Sequence, residues 1–355
     1  MDTRQQAQGK QIAVITGGGD APGLNAVIRG ITIQAKKLGY DVLGFRKGWA
    51  GLLEGGELHP LDLDQVEDIH MLGGTILGTS RTNPFKVSDG VEQVKRNLKA
   101  HACDFLIAVG GEDTLGVAHK LSEQGINVVG VPKTIDNDLS ETDYTFGFDT
   151  AVNNAMQALD ALHTTAKSHH RIMVVEIMGR HSGWLALHSG IAGGAHITIL
   201  PEQRFNAYKI AKIISKREAE GKTYTMIAIS EGAVADREDS HTTQKDEVDA
   251  FGHVHLGGIA ERLAAELEQI TGKEARHVVL GHLQRAGHPT AFDRVLGTRL
   301  GIHAARLVHN RQFGMMVSLK GTEIVAVPLD KAVGALKIVP EHRIEELGIL
   351  QGEES

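Results

Sequence analysis

The stretch VVGVPKTIDND at residues 128–138 joins the pattern of a buried strand to a run of polar residues. Its first four residues are apolar and mostly β-branched, as in a parallel strand that is covered on both faces. Ligands in open α/β sheets bind beyond the carboxyl ends of strands, where Lys133, Asp136 and Asp138 would lie. Lys133 can neutralise a polyanion and Asp136 can accept a proton, while Asp138 is close enough in sequence to influence that base electrostatically. We therefore expect the chemistry of the chain to occur here.

Strand-like and helix-like segments alternate on either side of this stretch. The alternation predicts an α/β fold with mainly parallel sheets and helices on both faces, and a break near residue 148 predicts a domain boundary. A charged segment at residues 233–250, poor in large apolar side chains, is interpreted as a mobile surface loop. The predicted strands cover residues 11–16, 41–45, 105–109, 128–131, 171–177, 197–200, 223–229 and 275–280, with a hairpin at 315–326. The predicted helices cover residues 25–38, 91–99, 115–124, 151–166, 183–192, 207–218, 259–267 and 290–309.

The composition is that of a globular protein. The 355 residues are enough for two domains, with 23% charged and 41% hydrophobic residues. A net charge of -7 argues against binding of nucleic acid by bulk charge, so an anionic ligand would need local arginines and lysines. The single cysteine, Cys103, excludes an intrachain disulfide and fits a reducing compartment. The polar residues 1–10 lack the apolar core of a signal peptide and no long apolar run follows, so we expect a cytoplasmic protein that does not span a membrane.

Two glycine-rich segments stand out in the first half of the chain. The sequence GGGDAPGLN at residues 17–25 lies between a predicted strand and a helix, where glycines let a phosphate approach the backbone. A tight turn, with Asp20 as a helix N-cap, is an equally good interpretation. The sequence GGTILGTSR at residues 73–81 offers glycines, hydroxyl groups and Arg81 to a phosphoryl group, or is a loop with a surface arginine.

A third glycine-rich segment, GGEDT at residues 110–114, directly follows a predicted strand. Glu112 could bind a magnesium ion, a hard cation that takes oxygen ligands. Asp113 and Thr114 could instead cap the helix that follows, with acidic residues in its first turn. The two interpretations are compatible.

Polar residues also follow three predicted strands of the second half. They are MGR at residues 178–180, Glu231, and GHLQR at residues 281–285. Arginine suits phosphate, and glutamate and histidine suit hydroxyl groups, so this set fits a sugar phosphate. The chain has 19 histidines, most of which must be structural, and those within residues 277–288 do not have zinc-ligand spacing.

Taken together, these motifs resemble the phosphofructokinase family, and they occur in the family's order from the N-terminus to about residue 300. The resemblance implies the phosphofructokinase fold, with two Rossmann-like three-layer (αβα) domains. Residues 1–147 with 284–334 would bind the phosphoryl donor, and residues 148–283 with 335–355 would bind the fructose phosphate. Family members transfer a phosphoryl group to the 1-hydroxyl of fructose 6-phosphate, so we expect an enzyme of that kind, with a Mg²⁺ cofactor.

The resemblance also implies roles for individual residues. Asp136 would be the base that takes the hydroxyl proton, and Glu112 matches a position that usually carries aspartate and binds magnesium. The donor phosphates would contact Gly18, Gly19, Arg81, Gly111 and Lys133. The sugar-phosphate pocket would include Thr134, Asp136, Asp138, Met178, Gly179, Arg180, Glu231, His282 and Arg285.

Two further arginines bear on assembly. Arg171 and Arg276 match family arginines that reach into a neighbouring subunit's pocket. This match implies a homodimer or a homotetramer whose active sites are completed across the interface.

Two positions bear on the phosphoryl donor. Asp113 matches a position at which the ATP-using members of the family carry glycine. Its carboxylate would fill the space of a nucleotide's α-phosphate and would repel that phosphate. Lys133 stands where ATP-users often have glycine, and a lysine can offset charge on a pyrophosphate leaving group. The pair resembles the short pyrophosphate-dependent branch of the family, which implies a reversible reaction that serves glycolysis and gluconeogenesis. An ATP-dependent enzyme of the same fold remains the alternative.

Two other inferences follow from the resemblance. A non-catalytic subunit that only binds sugar phosphate is disfavoured, because such a protein would not need Asp136, Lys133 and Arg81. The family's effector site uses several basic residues, of which this chain keeps only some. Arg29 and Lys222 are present, whereas Ile33, His163 and Tyr224 occupy other basic positions, so we expect regulation by nucleotides or phosphoenolpyruvate to be weak or absent.

Overall fold

The computed structural model describes residues 10–53, 57–236, 243–248 and 254–352. The strands are β1 Lys10–Thr16, β2 Tyr40–Phe45, β3 Leu58–Pro60, β4 Cys103–Gly110, β5 Val128–Pro132, β6 Ile172–Ile177, β7 Ile197–Ile199, β8 Thr225–Ser230, β9 Thr243–Val248, β10 Val254–Leu256, β11 Ala275–Val279, β12 Met315–Lys320 and β13 Glu323–Pro328. The α-helices are α1 Leu24–Lys37, α2 Trp49–Leu53, α3 Leu63–Val66, α4 Gly90–Ala100, α5 Glu112–Glu123, α6 Phe148–His169, α7 Trp184–Ala192, α8 Ala207–Ala219, α9 Ile259–Thr271, α10 Ala291–His309, α11 Leu329–Ala332 and α12 Glu341–Gln351. Short 3₁₀ helices cover Ile69–Met71, Pro84–Lys86 and Gly281–Arg285.

The larger sheet has the strand order β13-β12-β5-β4-β1-β2-β3. Its central strands are parallel, and β13 and β3 are antiparallel edges. Successive residues of a strand point to opposite faces. Ile12 and Val14 accordingly pack in one core with residues of α1 and α10, and Ala13 and Ile15 pack in another with residues of α4 and α5. Both faces are covered, as the apolar strand pattern predicts.

The smaller sheet has the order β11-β6-β8-β7, and its strands are all parallel. One face packs on α6 and α7 and the other on α8 and α9. The predicted α/β class with two mainly parallel sheets is therefore confirmed, as is the predicted hairpin, which β12 and β13 form. The domain bounds inferred from the resemblance stay a prediction.

The carboxyl ends of the central strands bring the polar segments together. In the larger sheet Gly110 pairs with Pro132 and Thr16 with Val109, so the segments after β1, β4 and β5 leave from one edge. In the smaller sheet Ile177 pairs with Ser230, and Val279 pairs with Glu176. The segments that follow β6, β8 and β11 therefore also leave from one edge.

Two local predictions are wrong. Within residues 233–250, β9 is a strand that pairs antiparallel with β10, so the interpretation of the whole segment as a loop is wrong. Residues 237–242 and 249–250 of that segment lie outside the described residues. Asp20 is not the N-cap of α1, because that position belongs to Gly23, whose φ of 105° a side chain would disfavour.

Asp293, near the start of α10, is fully buried. Its carboxylate caps the start of α6, a helix that lies far earlier in the sequence. Its Oδ1 accepts a hydrogen bond from the Gly147 amide at 2.9 Å, and Oδ2 accepts from the Thr150 amide and hydroxyl at 2.8 and 2.6 Å. Burial raises the pKa of Asp293 to about 6, although these hydrogen bonds favour the ionised form. The carboxylate ties the two long helices together.

We expect Asp293→Ala to lower the free energy of unfolding by about 2–4 kcal/mol, because it leaves buried donors at the start of α6 without an acceptor. Urea denaturation measures this change. The matched control is Asp160→Ala, which removes an exposed carboxylate from the middle of the same helix and should change stability by less than about 0.5 kcal/mol. Equal effects of the two substitutions would contradict the capping role.

No helix among the described residues is long and apolar enough to cross a membrane.

Candidate active site

A cleft opens beyond the carboxyl ends of β1, β4 and β5. Residues from both sheets meet there, since Arg180 follows β6 and Arg285 follows β11. The lining comprises Gly18, Gly19, Arg81, Gly111, Glu112, Asp113, Thr114, Lys133, Thr134, Asp136, Asp138, Arg180 and Arg285. All of these except Thr114, which was considered only as a helix cap, were predicted as site residues from the sequence.

Lys133 is the buried cation of this cleft, with 3% of its surface exposed. Its backbone amide donates to the Gly110 carbonyl at 2.9 Å, and its ammonium donates to the Gly19 carbonyl. Burial, followed by repulsion from Arg285, lowers the pKa of Lys133 to about 8, while Asp136 acts in the opposite direction. The ammonium is thus held against the donor-side glycine loop, where it can meet an anionic ligand.

Asp136 presents a buried acceptor with no protein partner. It is 6% exposed, and its Oδ1 has no hydrogen-bond donor among the described residues. The Asp136 amide donates to the Thr134 hydroxyl oxygen at 3.0 Å, which fixes the turn that carries the carboxylate. Buried polar atoms are nearly always paired, so an unpaired one in a cleft marks the place for a donor supplied by a ligand. A substrate hydroxyl would be such a donor.

Two other carboxyl groups near Asp136 are hard to ionise. Burial and repulsion from Asp136 raise the pKa of both Asp138 and Glu231 to about 7. Glu231 Oε1 accepts from the amides of Gly179 and Arg180 at 3.3 and 3.1 Å. These bonds hold Arg180 in the left-handed region, with φ of 51°, so that it lines the cleft. Glu231 therefore acts on the cleft through the loop that carries Arg180.

The glycines of the donor-side loops are required by close packing. A Cβ on Gly17 would lie 2.6 Å from the Thr114 hydroxyl, and one on Gly110 would lie 2.3 Å from the Thr114 Cβ. Gly18 has a φ of 80°, and a Cβ on Gly19 would lie 2.9 Å from the Arg285 guanidinium. Gly17 and Gly110 thus let α5 approach the sheet, whereas Gly19 leaves room for an arginine from the sugar side.

The segment at residues 73–81 is fixed to the first glycine loop. Asn25 is buried and its Oδ1 accepts from the Ile76 amide at 2.9 Å. The Gly18 amide donates to the Ser80 carbonyl at 3.1 Å, and the Thr79 hydroxyl donates to the Gly18 carbonyl. These bonds bring Arg81 to the cleft, which favours the phosphate-binding interpretation of this segment over that of a loop with an unrelated surface arginine.

Arg171 and Arg276 do not line the cleft. Both interact with Glu274, Arg171 through a 2.6 Å bond from Nε and Arg276 through Nη2. They lie at the amino ends of β6 and β11, a strand length of roughly 20 Å from the opposite edge. They cannot serve the cleft of their own chain, and their predicted role toward a neighbouring subunit stays a prediction.

Met178, Gly179, Glu231 and His282 also lie outside the cleft lining. The sequence did not indicate that Gln284 holds this region together. Gln284 is 1% exposed, accepts from the Met178 amide at 3.2 Å and donates to the Gly281 carbonyl at 3.1 Å. The signal available was its place within the 281–285 motif, beside Arg285.

The carboxylates of the cleft can be tested as magnesium ligands. No group of three or more His, Cys, Asp or Glu residues able to hold a metal is found in the described part of the chain. Magnesium bound with substrate phosphates needs only one or two carboxylates and keeps several waters. Glu112, exposed at the start of α5 and lining the cleft, fits such a partial ligand set.

The profile of the family described as Phosphofructokinase matches residues 11–308. The chain is a member of the phosphofructokinase family. The predicted family fold is confirmed by its likeness to the phosphofructokinase of Pichia pastoris, with a TM-score of 0.82 and 31% identity. That alignment covers 97% of this chain and 36% of the Pichia chain.

Curated relatives of this phosphofructokinase-family chain carry two kinds of name. A protein of Amycolatopsis mediterranei, 54% identical over 96% of this chain and 100% of its own length, is named pyrophosphate--fructose 6-phosphate 1-phosphotransferase. A protein of Corynebacterium efficiens, 50% identical over 94% of this chain and 96% of its own length, is named ATP-dependent 6-phosphofructokinase. The phosphoryl donor is therefore the point on which similar family members differ.

Proposed function

We propose that the chain transfers a phosphoryl group reversibly from pyrophosphate to the 1-hydroxyl of fructose 6-phosphate, giving fructose 1,6-bisphosphate and phosphate. The observation that carries the proposal is the pairing, in one cleft, of the unpartnered Asp136 carboxylate oxygen with the buried Lys133 ammonium. A base for a hydroxyl and a fixed cation for a phosphoryl group are the two requirements of this transfer. The relatives named as pyrophosphate enzymes support the choice of donor.

In the forward direction Asp136 takes the proton of the attacking hydroxyl, and Thr134 holds the turn that orients this base. The oxygen then bonds to phosphorus while the bond to the leaving phosphate breaks. Lys133 and Arg81 line the same cleft and offset the charge on the phosphoryl and leaving oxygens, and Arg285 lines it from the sugar side. Arg180, held by Glu231, is placed for the sugar phosphate.

Glu112 is the residue that would hold a magnesium ion in the cleft. When bound, the ion supplies charge neutralisation on the transferred group.

Asp113 carries the proposed discrimination against ATP. It lies in the first turn of α5 beside Glu112, so two carboxylates occupy the helix start that would otherwise favour a phosphate. Asp113 also lines the cleft. An ATP-dependent 6-phosphofructokinase is the second candidate function, and the name of the relative in Corynebacterium efficiens favours it.

We expect Asp113→Gly to strengthen inhibition of the pyrophosphate reaction by ATP about tenfold, equivalent to about 1.4 kcal/mol, because it removes both bulk and charge. Competition kinetics measure this change. Asp113→Asn is the matched variant, since it keeps the bulk and removes the charge, and should give an intermediate effect. If ATP binds no better to the glycine variant than to the wild type, Asp113 does not select the donor.

We further propose that the protein is a cytoplasmic homodimer or homotetramer. The location of Arg171 and Arg276 far from their own cleft supports a role for them at a neighbouring subunit's site. The single cysteine is buried, which suits a reducing compartment.

Weak or absent regulation is also part of the proposal. His163 bonds to the Tyr224 hydroxyl at 3.1 Å and to the Gly193 carbonyl at 2.8 Å. The Arg29 side chain donates to the Glu67 carbonyl at 2.9 Å. These contacts engage the same side chains that would otherwise recognise an effector, and strong activation by ADP would contradict this part of the proposal.

Phosphorus NMR of the reverse reaction tests the proposed function. Fructose 1,6-bisphosphate and phosphate, with magnesium, should yield pyrophosphate and fructose 6-phosphate. The signal of the phosphate on carbon 1 should disappear while that on carbon 6 remains. Loss of the other phosphate, or no pyrophosphate at all, would refute the assignment.

A further inference from the structure

Lys337 lies in the segment between α11 and α12 and contacts the loop that carries the cleft carboxylates. Its ammonium donates to Asn137 Oδ1 at 3.0 Å and to the carbonyls of Thr142 and Asp143 at 2.8 and 3.0 Å. Its backbone amide donates to the Asp138 carbonyl at 2.8 Å. One residue from near the C-terminus thus makes four hydrogen bonds to residues 137–143.

The backbone of Lys337 also contacts the loop on the sugar side. Its carbonyl accepts from the Ser182 hydroxyl and the Trp184 indole nitrogen, each at 3.1 Å. The Lys337 ammonium lies 5.6 Å from the centre of the Trp184 ring. Lys337 therefore connects the loop after β5 with the loop that follows Arg180. The ammonium and the backbone amide make the first connection, and the carbonyl makes most of the second.

The contacts of the Lys337 side chain bear on the chemistry because one of them holds Asn137. It stands between Asp136 and Asp138, is 2% exposed and has a φ of 54°. Asparagine adopts this left-handed conformation more readily than other side-chain-bearing residues when its side chain is hydrogen-bonded. The fixing contacts converge on Asn137 Oδ1, which accepts from the Thr145 amide at 3.0 Å and from Lys337. The backbone turn at Asn137 in turn sets the relative directions of its two neighbours.

We propose that Lys337 is a positioning residue for the phosphoryl transfer, holding Asn137 so that the Asp136 and Asp138 carboxylates point into the cleft. This proposal rests on the proposed function. Lys337 is not among the residues that line the cleft, so it acts through Asn137 and Asp138. Burial lowers the pKa of Lys337 to about 8, and attraction to Asp138 and Asp143 opposes the fall, as expected for a cation held against this loop.

Lys337→Met tests the proposal, since methionine keeps the chain length and removes the ammonium. We expect kcat for fructose 6-phosphate phosphorylation to fall about 10- to 100-fold, because small misplacement of reacting groups is costly. KM for fructose 6-phosphate should change by less than about threefold, because the Lys337 carbonyl still contacts Ser182 and Trp184. Lys331→Met is the matched control, since Lys331 is exposed in the neighbouring α11, and it should leave both constants unchanged.

The pH profile separates positioning from general stabilisation. Asp138 faces Asp136 and Glu112, which raise its pKa, and Arg180, which lowers it. The Lys337 ammonium, like Arg180, favours the ionised form of Asp138. Removing this ammonium should therefore raise the pKa of Asp138, and the acid limb of the kcat profile should move up by about 0.5 to 1 pH unit. A purely structural role for Lys337 would lower the melting temperature and leave this limb in place.

A Met variant with wild-type kcat and an unmoved acid limb overturns the proposal for Lys337 alone. If the Met variant does not fold, Lys337→Gln gives the same measurement, because the glutamine amide can replace only part of the three hydrogen bonds that the ammonium donates.

Asn137→Gly, which keeps the backbone conformation, should lower kcat by itself. In that variant the Lys337 substitution should have almost no further effect on kcat. Additive losses in kcat contradict the coupling. A wild-type chain that does not phosphorylate fructose 6-phosphate removes the proposed function, and the role of Lys337 with it.

Discussion

Asp136→Asn is expected to lower kcat about 10³- to 10⁴-fold while the affinity for fructose 6-phosphate stays within about threefold. The amide has nearly the same shape as the carboxylate but cannot take a proton, and general-base catalysis contributes an effect of this order. Because Asp136 Oδ1 has no protein partner among the described residues, the substitution breaks no side-chain hydrogen bond that the fold requires at that atom. Steady-state kinetics and calorimetric titration with fructose 6-phosphate measure the two effects.

The control for this substitution is Asp104→Asn, an equivalent change at an exposed position of β4. It should leave kcat and binding unchanged. Near-normal turnover of Asp136→Asn would remove Asp136 as the base. A variant that lost sugar binding together with turnover would instead point to a role in holding the substrate.

Lys133→Met is expected to lower kcat/KM for pyrophosphate about 10²- to 10³-fold, the size found for loss of one fixed charge stabiliser in an active site. KM for fructose 6-phosphate should change little, since Lys133 is held on the donor side by the Gly19 carbonyl. Lys86→Met, at an exposed position, is the control. Equal activity of the two variants with pyrophosphate would exclude Lys133 from the transfer.

The pH dependence gives Lys133 a second test. Its pKa is lowered to about 8, so the ammonium is present below pH 8 and is lost as the pH rises through that value. Use of pyrophosphate by the wild type should therefore decline above about pH 8. The Met variant, slow throughout, should lack this decline. A decline at the same pH in the Met variant would assign it to another group.

The chemistry-bearing residues could be predicted from the sequence because they follow strands of one parallel sheet. The apolar runs predict β1, β4 and β5, and parallel strands bring their carboxyl ends to a common edge. The segments at residues 17–25, 110–114 and 128–138 meet there for that reason. Arg180 and Arg285 were predicted for the same reason, since they follow strands of the smaller sheet, and they reach the cleft from that side.

The supporting contacts could not be predicted in the same way. Lys337 bonds to Asn137, and Asp293 caps α6, across separations of more than a hundred residues with no local sequence pattern. The strand β9 likewise pairs with β10, a partner that the charged sequence of the segment does not indicate. Glu231 was expected in the sugar pocket, whereas its contacts are with the amides of the Arg180 loop. Such roles depend on distances that only the folded chain provides.

The central claim is tested most directly by the initial rate with fructose 6-phosphate and magnesium, comparing pyrophosphate with ATP at equal concentration. We predict a rate with pyrophosphate and little or none with ATP, as expected if Asp113 and Lys133 select the donor. A rate confined to ATP would keep the fold and Asp136 as the base but contradict the assigned donor and the roles of those two residues.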